Sequence, residues 1–254
     1  MHRFYIDPAQ GQQKILHLSE RESHHGLRVL RVREGERVVA LDGAGSEFMC
    51  EVQDIHDDTL SLKVLQKNFG ARVPYQITLM QAIPKGKTME SIVQKATELG
   101  VHRIVPLLAE RSVVQLQEES ASAKVEKWQG TAIEAIKQCG SVWLPQIETP
   151  VSVAAFLSKG ERPDLPLIAT LQPGAQHPRK FFAEFSDERK RLPSSVAVWV
   201  GPEGDFTPAE INAIRGSGAL PITLGQLILR SETAAFYCLS ILNYELQAPD
   251  ANAA

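Results

Sequence analysis

The spacing of apolar residues along the chain changes character once, near Pro74. Before that point, residues 3–6, 37–41, 47–55 and 60–65 read as short strand-like runs rich in Val, Ile, Leu and aromatic residues. Asp42-Gly43-Ala44-Gly45 is a strong hairpin turn between the second and third runs, and His56-Asp57-Asp58 joins the third to the fourth. Ser19-Glu20-Arg21-Glu22 has the form of a capping box and predicts a short helix through His24, His25, Leu27 and Leu30. The pattern predicts a small, mainly β domain over residues 1–70, with 68–74 as linker.

Beyond Pro74, strand-like runs alternate with helical ones. Residues 75–83 predict a strand, and Met89, Ile92, Val93, Ala96 and Leu99 fall at helical spacing until Gly100 stops them. Further strands are expected at 103–108, 165–171, 196–200 and 221–224, with helices at 121–138, 178–190 and 232–246. Another helix opens at Thr207-Pro208-Ala209-Glu210, with Thr as N-cap, Pro at the first helical position and Glu closing a capping box. Such alternation predicts an α/β domain over residues 75–250, its mostly parallel sheet covered on both faces. The last helix is apolar on most sides, which suits burial in a core or between subunits. Residues 248–254 read as a disordered tail.

The totals change this picture little. The chain has 254 residues, 43% of them hydrophobic, and a formal net charge of -3, so nucleic acid would have to be met by a local patch. No run approaches a membrane span and the start is not a signal peptide, so a cytoplasmic protein is expected. Three widely separated cysteines, Cys50, Cys139 and Cys238, indicate neither a zinc site nor a disulfide framework.

Candidate chemistry concentrates at two glycine-marked strand ends. The run 196–200 stops at Gly201-Pro202-Glu203-Gly204, and the run 221–224 stops at Gly225, after which Leu227-Ile228-Leu229-Arg230 crosses to Ser231, a candidate N-cap. In open α/β sheets, loops at the carboxyl ends of strands hold ligands. Gly86-Lys87-Thr88 resembles the tail of a P-loop, but Gln81 stands where that motif needs its first glycine. Neither a Gly-x-Gly-x-x-Gly nor a Gly-x-Ser-x-Gly motif is present. Arg21, Arg28, Arg31, Arg33 and Arg37 form the densest basic cluster, to be read as RNA phosphate contacts or as a solvated helix end. Arg3-Phe4-Tyr5 offers a guanidinium and two rings either to an unpaired base or to a core. Lys95 and Glu98, one turn apart, suit an ordinary surface pair, and Arg111, just past a strand end, is the best further candidate for an anion contact.

At these residues the chain resembles the bacterial 16S ribosomal RNA (uracil-N3) methyltransferases of the SPOUT superfamily. The resemblance runs almost end to end, through Arg3-Phe4-Tyr5, residues 24–31, 95–100 and 134–140, Glu110-Arg111, residues 200–206 and residues 224–234. Its most specific parts are Gly201-Pro202-Glu203-Gly204, Leu224-Gly225 and Leu229-Arg230-x-Glu232-Thr233-Ala234. Asp205 stands where a second glycine is frequent, and Ser231 where threonine is common.

The resemblance implies a PUA-like RNA-binding β-barrel followed by a SPOUT domain with a trefoil knot, acting as a homodimer with its site near the subunit interface. It implies S-adenosylmethionine (SAM) as cofactor, no metal, and a uridine of 16S rRNA in the small ribosomal subunit as substrate. Cofactor contacts are expected from Leu171, Gly201, Gly204, Leu224, Gly225, Ile228, Leu229 and Thr233. Arg230 is expected to stabilise charge on the uracil oxygens. Glu203 is expected either to accept the proton or to brace its loop. RNA contacts are expected from Arg3, Phe4, His24, Arg28, Arg31, Lys85, Lys87 and Arg111. The rival reading from another class is a non-catalytic RNA-binding assembly factor, with a P-loop enzyme as the weakest alternative.

Overall fold

The computed structural model describes residues 1–56, 58–112 and 118–247, so the tail expected to be disordered lies outside the described residues. The chain divides into two compact units. The first comprises Met1–Arg72 and Ile133–Leu144, the second Val73–Ala132 and Pro145–Ala254.

The first unit is a five-stranded sheet built from β1 (Arg3–Tyr5), β2 (Ile15–His17), β3 (Arg37–Leu41), β4 (Ser46–His56) and β5 (Thr59–Phe69), in the order β1-β3-β4-β5-β2. Alternation along β4 sends Phe48, Cys50 and Val52 inward to meet Phe4, Leu16, Val38, Leu60 and Leu62, all at most 1% exposed. The 42–45 turn forms as expected. The Asp42 carboxylate accepts from the Ala44 and Ser46 amides at 2.8 Å, and Gly43 and Gly45 take φ of 66° and 105°. Gly45 is needed for a second reason, because an added Cβ would lie 2.5 Å from the Trp143 ring.

Helix α1 (Glu20–His24) shows how half a capping box can be diverted. Ser19 accepts from the Glu22 amide as predicted, but Glu22 does not reach back to the cap. Its carboxylate turns inward to accept from the Tyr5 amide at 3.0 Å and from Lys137 at 2.8 Å. The chain then widens into a π-helical stretch, His25–Leu30, which Arg31 ends in the left-handed conformation at φ 56°. Gly26 is packed against Phe4 and Leu60, where a Cβ would come within 2.6 Å of Leu60.

The second unit is a parallel sheet made from β6 (Gln76–Ala82), β7 (Arg103–Leu108), β8 (Gln146–Ile147), β9 (Val151–Ser152), β10 (Leu165–Ala169), β11 (Ser195–Val200) and β12 (Leu220–Ile222). The order is β12-β10-β11-β6-β7-β8, with β9 also on β7. Every pairing is parallel, as the alternation of strands and helices predicts. The helices are α2 (Thr88–Glu98), α3 (Glu118–Cys139), α4 (Val153–Ser158), α5 (Pro178–Arg189), α6 (Pro208–Gly216) and α7 (Ser231–Leu246). Helix α3 gives its last turns, from Ile133, to the first unit.

Trp199, Ala197, Met80 and Val105 point to one face of the sheet, where they pack with Phe156 of α4, Ile211 and Ile214 of α6, and Phe206. Helix α7 packs against β6, β11 and α2. It buries Ala235, Cys238, Leu239 and Leu242 but leaves Tyr237 46% and Tyr244 77% exposed, so an apolar composition has not made it fully interior. Short α4, β2, β8 and β9 carried no readable pattern. No helix among the described residues is long and apolar enough to cross a membrane.

Candidate active site

Loops leave the carboxyl ends of β6, β7, β10, β11 and β12, and side chains tie those after β6, β7 and β11 together. After β11, residues 201–206 turn sharply into α6. Thr207 caps that helix with both halves of its capping box formed, and the other oxygen of Glu210 accepts from the Glu110 amide of the β7 loop. Arg111, from the same β7 loop, donates to the Gly204 carbonyl at 2.9 Å. Glu203 accepts from the Lys85 amide of the β6 loop at 3.2 Å. The bracing role open to Glu203 is therefore occupied by one carboxylate oxygen. Arg111, expected to meet an anion, has one donor committed to holding Gly204.

A cleft lies between the β10, β11 and β12 loops and the start of α7. Of the residues expected to hold a cofactor, Leu171, Gly201, Leu224, Gly225, Ile228 and Leu229 line it, together with Glu203. Gly204 and Thr233 are not lining residues, although each is next in sequence to one. Leu227, Thr170, Asp205, Ser231 and Ala234 also contribute, although none of them was expected to hold the cofactor. The walls are largely apolar, and the charged side chains among the described lining residues are two carboxylates, Glu203 and Asp205. Such a lining suits a flat aromatic group joined to a cationic one, which is the chemistry of SAM's adenine, sulfonium and ammonium groups.

Arg230 lies between two lining residues and is exposed at the start of α7. Its guanidinium makes no hydrogen bond or ion pair among the described residues. Arg230 is itself the cap residue of α7, without a side-chain capping bond. Ser231, expected as N-cap, is instead the first helical residue, and its hydroxyl donates to the Gly201 carbonyl at 2.7 Å.

Asp205 explains the glycine frequent at its position, because the backbone there is left-handed at φ 58°. The aspartate adapts by accepting from the Phe206 amide at 2.7 Å. Burial raises its carboxyl pKa above the ordinary value, partly opposed by that hydrogen bond and by Arg111. The native state thus binds the proton more tightly than the unfolded chain does. Stability falls as pH rises from the ordinary carboxylate range through the raised value. Asp205→Asn keeps the acceptor and removes the charge. Its melting midpoint is expected to exceed the parent's by about 2 °C at pH 7.5, with the gap closing towards pH 4. Paired melts at the two pH values check this.

The expected RNA contacts divide. Phe4 is fully buried in the first unit's core, and that expectation is corrected: inward alternation on β1 takes the ring away from any base. Arg3 donates to the carbonyls of Lys137 and Gln138, satisfying the open end of α3, so its guanidinium serves as a helix cap. His24, Arg28, Arg31, Lys85 and Lys87 are exposed. Arg28 pairs with Asp58 at 3.3 Å, an exposed contact that solvent screens. Lys95 and Glu98 form the ordinary surface pair.

A larger groove, about 750 Å³, opens at the amino ends of β6, β7 and β11. Arg103 on its wall is already paired, meeting both Glu148 and Glu161. There are no metal-ligating clusters among the described residues. Burial pushes the Cys238 thiol within α7 up to about 12, leaving it an uncharged packing group at neutral pH.

The parallel sheet with glycine loops at its carboxyl ends, following a small β unit, belongs with the RNA methyltransferases. A family model for the RNA methyltransferase domain matches residues 71–243, and one for the RNA methyltransferase PUA domain matches residues 18–65. The ribosomal RNA small subunit methyltransferase E of Bacillus subtilis is 31% identical over 253 residues, covering 97% of this chain and 98% of that protein. The Aquifex aeolicus protein of the same name is 31% identical, covering 95% and 99%.

Among solved structures, a Legionella pneumophila protein crystallised with bound SAM superposes with a TM-score of 0.86. It shares 32% identity, covering 95% of this chain and 96% of that one. The Neisseria gonorrhoeae ribosomal RNA small subunit methyltransferase E bound to SAM gives 0.82 at 26% identity, covering 96% and 97%. The chain belongs to the ribosomal RNA small subunit methyltransferase E family. It is a SAM-dependent rRNA methyltransferase with a PUA-like amino-terminal domain.

Proposed function

We propose that the chain methylates N3 of a uridine in 16S rRNA of the small ribosomal subunit. The observation that carries this reading is Arg230, an unpartnered cation between two residues of an otherwise acidic and apolar cleft. Leu171, Gly201, Leu224, Gly225, Ile228 and Leu229 hold the cofactor by wall and backbone contacts, with Gly204 and Thr233 shaping the loops beside them. When bound, SAM supplies an electrophilic methyl group on a positive sulfur.

The uracil must leave its stack and lose its imide proton before N3 can act as nucleophile. Arg230 stabilises the negative charge that spreads to the uracil oxygens. Glu203 keeps one oxygen on the Lys85 amide, and the proton passes to its other oxygen or to water. His24, Arg28, Arg31, Lys85 and Lys87 are exposed cations or imidazoles suited to RNA phosphates.

The chain acts as a homodimer in the cytoplasm. The outward side of α7, with Tyr237 and Tyr244, supports a subunit contact there. A trefoil knot is supported by the path of the chain from edge strand β12 through residues 223–230 to α7, which packs on the central strands. The test is methyl transfer from labelled SAM to small subunits and to free 16S rRNA, followed by nucleoside mass analysis. The expected product is N3-methyluridine in one fragment of 16S rRNA. Methylation of another atom, or none on either substrate, overturns the reading.

A further inference from the structure

Gln81 is the penultimate residue of β6, the strand beside β11, and its side chain is fully buried. Both of its amide hydrogens are used. One goes to the Ala82 carbonyl at 2.8 Å and the other to the Ser231 hydroxyl at 2.9 Å. The Ser231 hydroxyl in turn donates to the Gly201 carbonyl at 2.7 Å. The direction of this chain is set at both ends, because a carbonyl can only accept. Ser231 must give its single hydrogen to Gly201 and receive from Gln81.

The cost of the arrangement is visible, since Gln81 Oε1 is buried without a partner among the described residues. An isolated buried acceptor is destabilising, and an apolar side chain of the same length would not carry that cost. What the amide holds in return is the spacing between the first residue of the β11 loop and the first residue of α7, both on the wall of the cleft.

We propose that Gln81 is a positioning residue for the cofactor, acting through Ser231 to fix the distance between the 201–206 and 223–230 loops. It touches neither cofactor nor RNA. A hydroxyl is required at position 231, and threonine supplies one equally well. The inference rests on the cofactor cleft assigned above.

The test uses the full chain with small subunits as methyl acceptor. For Gln81→Met and Ser231→Ala, KM and Kd for SAM are expected to rise about tenfold, while kcat at saturating SAM stays within about twofold. Combining the two should cost no more than either alone, because both break one chain of bonds. Ser231→Thr should restore the parent Kd. Effects that multiply, a threonine variant that behaves like alanine, or Kd values within twofold of the parent would each overturn the proposal. If Gln81→Met does not fold, Ser231→Ala and Ser231→Thr decide the matter alone. Ala234→Trp, which fills the cleft, separates the two readings. If it leaves SAM binding intact, the cleft assignment fails. If it abolishes binding while Gln81→Met and Ser231→Ala change nothing, the positioning role alone fails.

Discussion

Arg230→Ala is expected to lower kcat by roughly 10²–10³-fold, the scale set by removing one donor from a developing oxyanion. SAM affinity should change little, because the residues on the cleft wall come before and after Arg230 and not from its side chain. The effect is separable from folding, since the guanidinium is exposed and makes no hydrogen bond among the described residues. Arg230→Lys is expected to recover only part of the rate, because an ammonium cannot spread two donors over a planar group. Single-turnover methyl transfer, with SAM binding measured by calorimetry, provides the check. Equal losses in both would remove Arg230 from the chemistry.

The second large effect concerns stability. Lys137 and Glu22 form a salt bridge at 2.8 Å, with side chains only 7% and 6% exposed. Lys137→Ala would leave the Glu22 charge buried with the Tyr5 amide and no cation, a loss of about 3–5 kcal/mol for a broken buried pair. Melts should register this as a fall of about 10 °C in the transition that includes the first unit. Glu22→Gln combined with Lys137→Met keeps an acceptor for Tyr5 and removes both charges, so it should recover most of the loss. If Lys137→Ala alone melts within 2 °C of the parent, roughly the scale of an exposed pair, the bridge is not what holds the end of α3 in this unit.

The sequence read most clearly where short-range chemistry decides the outcome. Thr207 and Glu210 lie three residues apart, and both halves of their capping box form as expected. The strand at 103–108 and the helix stop at Gly100, with φ 73°, were equally legible. Legibility failed where a distant residue competes for a side chain. Glu22 looked like the second half of a box, but Lys137 and Tyr5 draw it inward. Ser231 looked like an N-cap, but the Gly201 carbonyl lies closer to its chemistry.

Phe4 shows the same limit at the candidate site. An aromatic beside an arginine has the composition of a base-stacking pair, and only the pairing of β1 with β3 decides which face it occupies. The glycine loops, by contrast, are legible in the sequence, because their position after apolar runs is a local signal. Asp205 was visible as a departure from the family's glycine, yet the left-handed backbone that makes glycine frequent there belongs to the folded loop.

The return of residues 133–144 to the first unit bears on how such proteins can be taken apart. The amide of Leu144 donates to Gly43, that of Gly45 donates to Val142, and the Trp143 ring packs against Gly45 while its indole donates to Gly70. A fragment cut at Arg72 would therefore lose the strap over its 42–45 turn, the cation beneath Glu22 and the helix end that Arg3 caps. The PUA-like module is not a cassette that can be moved to another enzyme by joining ends. Transplanting it means carrying two separate stretches of chain, and the host must supply a helix that runs back to close it.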